Sequence, residues 1–359
     1  MEHKRDPMKA ETMDVNRRRV RMDTIHGDAA MRTSRRRANA AAPLWPAVMA
    51  LLFSAAACND EANDPEDSGD LGEIPATMTP VFLSEDEARE EITRRDEFVS
   101  AMSAFDLESR TGAPQPVAVE DYLGVVRKHV LAFSEAEEEN VGEQVNAVLD
   151  RMAERGLRPP ANPPEVRFVR TDGEEEGASA AYTRSGTVFL CDQFFALDPA
   201  LQIHTVAHEL FHIWSRANPD VVRWPAHEAL GFFRVQGLTL PPGLADRKIT
   251  NPDDPLLEEV IHVSFDGAPV DVALATIARS DYEGGSFFDY LDLWLVEPES
   301  GALHSLESAE GLFEQLGTTT EYILSAEEIS AEHFAIGLLQ DVEIRDPELI
   351  EAVLLPFKP

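Results

Sequence analysis

The residues His208-Glu209-Leu210-Phe211-His212 spell H-E-x-x-H. On an α-helix, positions four apart lie on one face, one turn from each other. His208 and His212 can therefore each aim a ring nitrogen at a single zinc ion, at about 2.0–2.1 Å. Glu209 sits one position round the helix and is poorly placed as a third ligand. It is well placed to hold the water on the zinc and take its proton. Between Thr205 and Trp214 the only formal charge is Glu209, as expected of a buried helix. The plain alternative is two core histidines beside a surface glutamate. A glutamate buried between two histidines is costly unless a cation is present. The pentapeptide therefore predicts one Zn2+ per chain, at a centre built for hydrolysis.

A catalytic zinc site takes three protein ligands and keeps one position open. Three candidates for the third ligand follow the motif. His227 and Glu228 lie in Pro225-Ala226-His227-Glu228-Ala229, and Glu328 lies in Glu327-Glu328-Ile329-Ser330-Ala331-Glu332. The last segment suits the task better, because Glu328 and Glu332 share a helix face as i and i+4. One carboxylate can bind the metal while the other accepts the free ring N–H of a ligating histidine. A solvated acidic helix face is the competing reading.

H-E-x-x-H on one helix and E-x-x-A-[DE] on a later one resembles the gluzincin branch of zinc metallopeptidases. The resemblance implies that Glu328 is the third ligand and that Glu332, in place of the commoner Asp, orients a histidine. The chain also resembles a group of uncharacterised bacterial proteins treated as metallopeptidases. The similar segments are Tyr182-Thr183-Arg184, His208 to Arg216 with Asn218-Pro219, Leu230-Gly231-Phe232, Ile249 to Asp253, and Tyr322 to Phe334. This chain has Ser325-Ala326 where the group often has His-Pro, and His333 where Asn is frequent. The implied fold is zincin-like, with a mixed sheet, an active-site helix and a helical N-terminal part. The implied substrate is a peptide or protein.

Peptide hydrolysis also needs a donor to the oxyanion. Tyr322, six residues before Glu328, is the first candidate; His227, His304 and Tyr182 are others. In gluzincins an edge strand before the zinc helix binds the substrate backbone, and Ala180-Ala181-Tyr182 is the counterpart here. His204 shares the motif face as i−4 and is read as a supporting or core residue. A non-catalytic envelope lipoprotein that binds metal or a peptide partner is the alternative function. An intact Glu209 argues against it.

The elements that must hold these residues indicate an α+β protein. Ser84 and Glu87 are spaced as a capping box, and order is expected from Ser84. Helical patterns cover Val119–Phe133 and Glu135–Arg155, the latter closed by Gly156. Glu165–Arg170 and Thr187–Cys191 read as strands around the acidic loop Gly173–Gly177, with Ser179–Thr183 as a further strand. The motif helix runs from Pro199 to Arg216 and stops at Asn218-Pro219. Leu256–Phe265, Ala268–Ile277 and Ser286–Val296 look extended. Helical pattern returns at Ser305–Leu316 and Ala326–Leu339. The catalytic domain is read as residues 84–359.

The 359 residues carry 31 Lys and Arg against 66 Asp and Glu. Residues 44–57 form a short apolar run after Arg35-Arg36-Arg37, ending in Ala55-Ala56-Ala57 with Cys58 next. This describes a signal peptide followed by a lipidated cysteine. Residues 1–57 form the leader, with Met31 as the expected start. Residues 58–83 form an acidic tether. Residues 58–359 keep 20 basic and 60 acidic residues, a balance that repels nucleic acid and anionic membranes. Membrane contact is then expected through the lipid on Cys58 alone, in the bacterial cell envelope. Cys191, in an apolar run, is read as a buried small hydrophobe.

Overall fold

The computed structural model describes residues 78–161 and 163–359. The leader, the Met31 start and Cys58 lie outside the described residues. Among the described residues, no helix is long and apolar enough to cross a membrane.

Two five-stranded sheets organise an α+β structure. The first contains β1 (Val81–Phe82), β2 (Val130–Leu131), β3 (Arg167–Thr171), β4 (Ala181–Arg184) and β5 (Thr187–Leu190). It is mixed: β3 pairs in parallel with β1 and β5, while β2 pairs antiparallel with β3 and β4 with β5. β1 and β2 share one edge of β3, leaving β4 as the opposite edge. The second sheet is an antiparallel meander of β6 (Phe232–Arg234), β7 (Glu259–Phe265), β8 (Ala268–Ala278), β9 (Leu291–Val296) and β10 (Leu303–His304).

Three helices pack on one another, with the motif helix of the three lying against β4 and β5 of the first sheet. The long helix Glu135–Glu154 starts at a capping box formed by Ser134 and Glu137. It buries Val141, Val145, Val148 and Met152, spaced for one helical face. The motif helix spans Pro199–Ala217. Asp198 caps it by accepting from Ala200 N and Leu201 N, with Pro199 in the first turn. The glutamate helix spans Ala326–Leu339 and is buried on every side from Ala326 to Leu338. Phe211 and Trp214 of the motif helix meet Phe334 of the glutamate helix, with ring centroids 5.6 and 5.9 Å apart. Phe357 closes this cluster 4.6 Å from Phe334.

Several expected boundaries shift. The helix expected over Val119–Phe133 ends at Val126, because Val130-Leu131 pairs with Thr171 and Arg170 on the free edge of β3. Order precedes Ser84, since β1 joins the sheet and Phe82 stacks on Phe168 at 5.7 Å. Within Ser286–Val296, Phe287–Tyr290 is a 3-10 turn and only Leu291 onward is strand. The helix expected over Ser305–Leu316 is broken by Gly311 at φ +86°, leaving a 3-10 turn at Leu306–Ser308 and a helix at Leu312–Leu316. A further helix, Pro347–Leu354, follows the glutamate helix. It fits closely on the glutamate helix at Gly337, where an added Cβ would come within 2.6 Å of Ile350.

Candidate metal centre

The motif helix places His208 and His212 one turn apart, with ring centroids 4.8 Å from each other. The glutamate helix brings Glu328 against both. His208 Nε2 lies 3.1 Å from Glu328 Oε2, and His212 Nε2 lies 3.9 Å from Glu328 Oε1. Ligand atoms of these three residues all fall within 4.8 Å of one another. His212 is fully buried, yet its Nε2 has no hydrogen-bond partner. An orphaned buried nitrogen is costly, and a cation would satisfy it. Two imidazoles and one carboxylate form a donor set suited to zinc.

The other ring nitrogens are held from behind. His212 Nδ1 lies 3.0 Å from Glu327 Oε1, and His208 Nδ1 lies 3.3 Å from Glu332 Oε2. Both contacts leave Nε2 to face Glu328. Burial works against the imidazolium of His208, but Glu328 and Glu332 hold its pKa well above the ordinary value. Burial likewise works against ionised Glu327 and Glu328. Arg223 followed by His212 and His227 outweighs it at Glu327, and His208 followed by His212 outweighs it at Glu328. Both carboxyls therefore titrate below their usual range. Asn251 Nδ2 also donates to Glu328 Oε1 at 2.6 Å.

Glu209 is buried and turns toward β4, where Thr183 Oγ1 donates to its Oε2 at 2.7 Å. Burial raises the pKa of Glu209, and His212 and His208 counter it. Asp253 enters from the loop before β7. It accepts from Thr183 N and lies 3.9 Å from His212 Nε2. Glu209, His212 and Asp253 form a second group with ligand atoms in mutual reach, sharing His212 with the first. Burial, then the neighbouring Glu209 and Glu328, pushes the Asp253 carboxyl well above the usual range.

A cleft of about 210 Å³ opens onto His208 and Glu209. Ala180, Ala181 and Tyr182 of the β4 edge line one wall, and Phe287, Phe288 and Leu291 line another. Cys191 N donates to Ala180 O, so the antiparallel alternation turns the backbone of Ala181 away from β5. Asp253 already occupies Thr183 N, which leaves Ala181 as the edge position free of that contact.

Tyr322 lies in the cleft with its ring edge-on to His208, centroids 5.8 Å apart. Burial, and next the Glu328 carboxylate, keeps its hydroxyl protonated to well above the ordinary pKa. Tyr182 also reaches the cleft, but its hydroxyl donates to Glu175 at 2.9 Å. His304 is on β10, stacked on Phe265 and bonded to Glu297, and does not line the cleft. Glu228 is exposed and joins no ligand group. His227 is buried but turns its nitrogens to Glu327 and Glu259. His204 bonds Glu332 and Asp341. Cys191 is fully buried, and burial drives its thiol pKa upward.

Thr183, Asn251, Asp253 and Glu327 were not singled out from the sequence. All four lie within the segments on which the expected resemblance rests, but nothing local in the sequence distinguishes their roles. Comparison with family models, curated proteins and solved structures yields no match for this chain.

Proposed function

We propose that the protein is a zinc metallopeptidase of zincin-like fold, exported and anchored through a lipid on Cys58. The observation that carries the reading is the convergence of His208, His212 and Glu328 around a buried, unpartnered His212 nitrogen. Those three residues would hold the ion. Bound zinc supplies a Lewis acid that polarises a carbonyl and makes a water more acidic.

The remaining roles fall to the chain itself. Glu209, oriented by Thr183, takes the proton of the attacking water and passes it to the leaving amine. Burial lifts the proton affinity of Glu209, which suits a base that must also return a proton. Tyr322 keeps its hydroxyl proton and donates to the developing oxyanion. The outward backbone of Ala181 pairs with the extended substrate.

A peptide-library digest tests the reading. Zinc-loaded protein should cleave, while Glu209→Gln should retain zinc and lose turnover by roughly 10²–10⁴-fold. Equal turnover by Glu209→Gln would remove this residue from the chemistry.

A further inference from the structure

Two chains of side chains run outward from the site, one behind each motif histidine. The first is His208–Glu332–His204–Asp341. His208 Nδ1 meets Glu332 Oε2 at 3.3 Å, His204 Nε2 meets the same oxygen at 3.2 Å, and His204 Nδ1 meets Asp341 Oδ2 at 2.8 Å. The second is His212–Glu327–His227–Glu259. His212 Nδ1 meets Glu327 Oε1 at 3.0 Å, His227 Nε2 meets Glu327 Oε2 at 3.0 Å, and His227 Nδ1 meets Glu259 Oε1 at 2.7 Å. The order histidine, carboxylate, histidine, carboxylate is the same in both.

This order fixes protons. Each outer histidine has a carboxylate at both ring nitrogens, so both nitrogens donate and the ring is a cation. The inner carboxylates Glu332 and Glu327 then act only as acceptors. The inner nitrogens of His208 and His212 must donate to them, and each Nε2 is presented to Glu328. Glu327, Glu328 and Glu332 come from one helix, so one rigid element carries a ligand and both orienting carboxylates. His227 is 1% exposed and His204 7%, so water competes little for these contacts.

We propose that His204 and His227 are positioning residues that lock the two zinc-binding histidines through Glu332 and Glu327. The proposal rests on the metal-centre reading but goes beyond the ligands. Partners behind metal-binding histidines typically change metal affinity by about 10–100-fold. Residues one step further out should sit at the lower end.

The test is zinc affinity by competition with a chromophoric chelator, beside the thermal stability of the metal-free protein. His204→Leu and His227→Leu should each weaken zinc about tenfold, and the double variant about a hundredfold, because the chains are separate. His227→Gln, which keeps a donor toward Glu327, should recover part of the loss. If a leucine variant fails to fold, Asp341→Asn at the partly exposed end should still weaken zinc several-fold. Affinities within twofold of wild type in the variants that fold overturn the inference. So does a loss in which Gln and Leu are equal and follow metal-free stability alone. Wild-type protein that binds no zinc defeats the metal-centre reading, and this inference with it.

Discussion

The motif helix and the glutamate helix carry the site together, yet they are built differently. The motif helix is exposed only in its first turn and at Ala217, is buried without a break from Glu209 to Ser215, and carries a single carboxylate, Glu209. The glutamate helix has no exposed face from Ala326 to Leu338, although it holds Glu327, Glu328, Glu332 and His333. A helix buried all round cannot leave a carboxylate to water. Each of its three glutamates accordingly finds a partner: Glu327 meets His212, Ser215 and His227, Glu328 meets His208 and Asn251, and Glu332 meets His204. The difference is one of charge: the motif helix asks its neighbours to satisfy one buried carboxylate, whereas the glutamate helix asks for three and is acceptable only when docked.

Three perturbations separate these contributions, beginning with the largest. The ionic contacts of the glutamate helix depend on His204, through Glu332, and on His227, through Glu327. Burial opposes their charge. Glu332 and hydrogen bonding to Asp341 lift His204 to about 10, and Glu259 with Glu327 lifts His227 to about 9. A histidine with a raised folded-state pKa stabilises fully below its unfolded value of about 6.5 and loses that contribution as pH rises through the folded value. Metal-free protein should therefore lose stability from about pH 6.5 upward through pH 9–10, by several kcal/mol at about 1.4 kcal/mol per tenfold change in proton affinity. Denaturant melts across that range check it; a flat profile would mean that the helices do not depend on these cations.

The apolar contact comes second. Trp214→Ala and Phe334→Ala should each cost about 3–5 kcal/mol. Because the rings are 5.9 Å apart, the double variant should cost less than the sum. Chemical denaturation of the four forms measures this coupling, and strict additivity would argue that the helices are stabilised separately. The smallest effect belongs to the motif helix alone. Asp198→Ala removes its cap and should cost about 1 kcal/mol with no change in zinc affinity. Zinc titration and melting of that variant would tell a local cap from a contribution to the site.

What was legible in the sequence follows the same divide. His208, Glu209 and His212 are local to one helix, so spacing alone places them on it. Strands β3 and β5 follow from short β-branched and aromatic runs, and β4 lies close to the expected Ser179–Thr183. Glu328 and Glu332 were read from a shared helical face. Glu327 is not legible as a site residue, because the sequence does not reveal that the helix is buried all round and a third carboxylate on it reads as solvated. Asp253 and Asn251 come from a loop that carries no periodicity, and Thr183 reaches Glu209 only because β4 is the sheet edge. The strand at Val130-Leu131 reads as helix in the sequence because its pairing partners, Thr171 and Arg170, lie 41 and 39 residues along.

The central claim is a three-ligand zinc centre spanning the two helices. Its most direct test is the zinc content of purified protein after dialysis, for wild type beside His212→Ala and Glu328→Ala. The account predicts one zinc per wild-type chain and loss of stoichiometric zinc from both variants. Wild-type protein without zinc, or Glu328→Ala with its full complement, would contradict it.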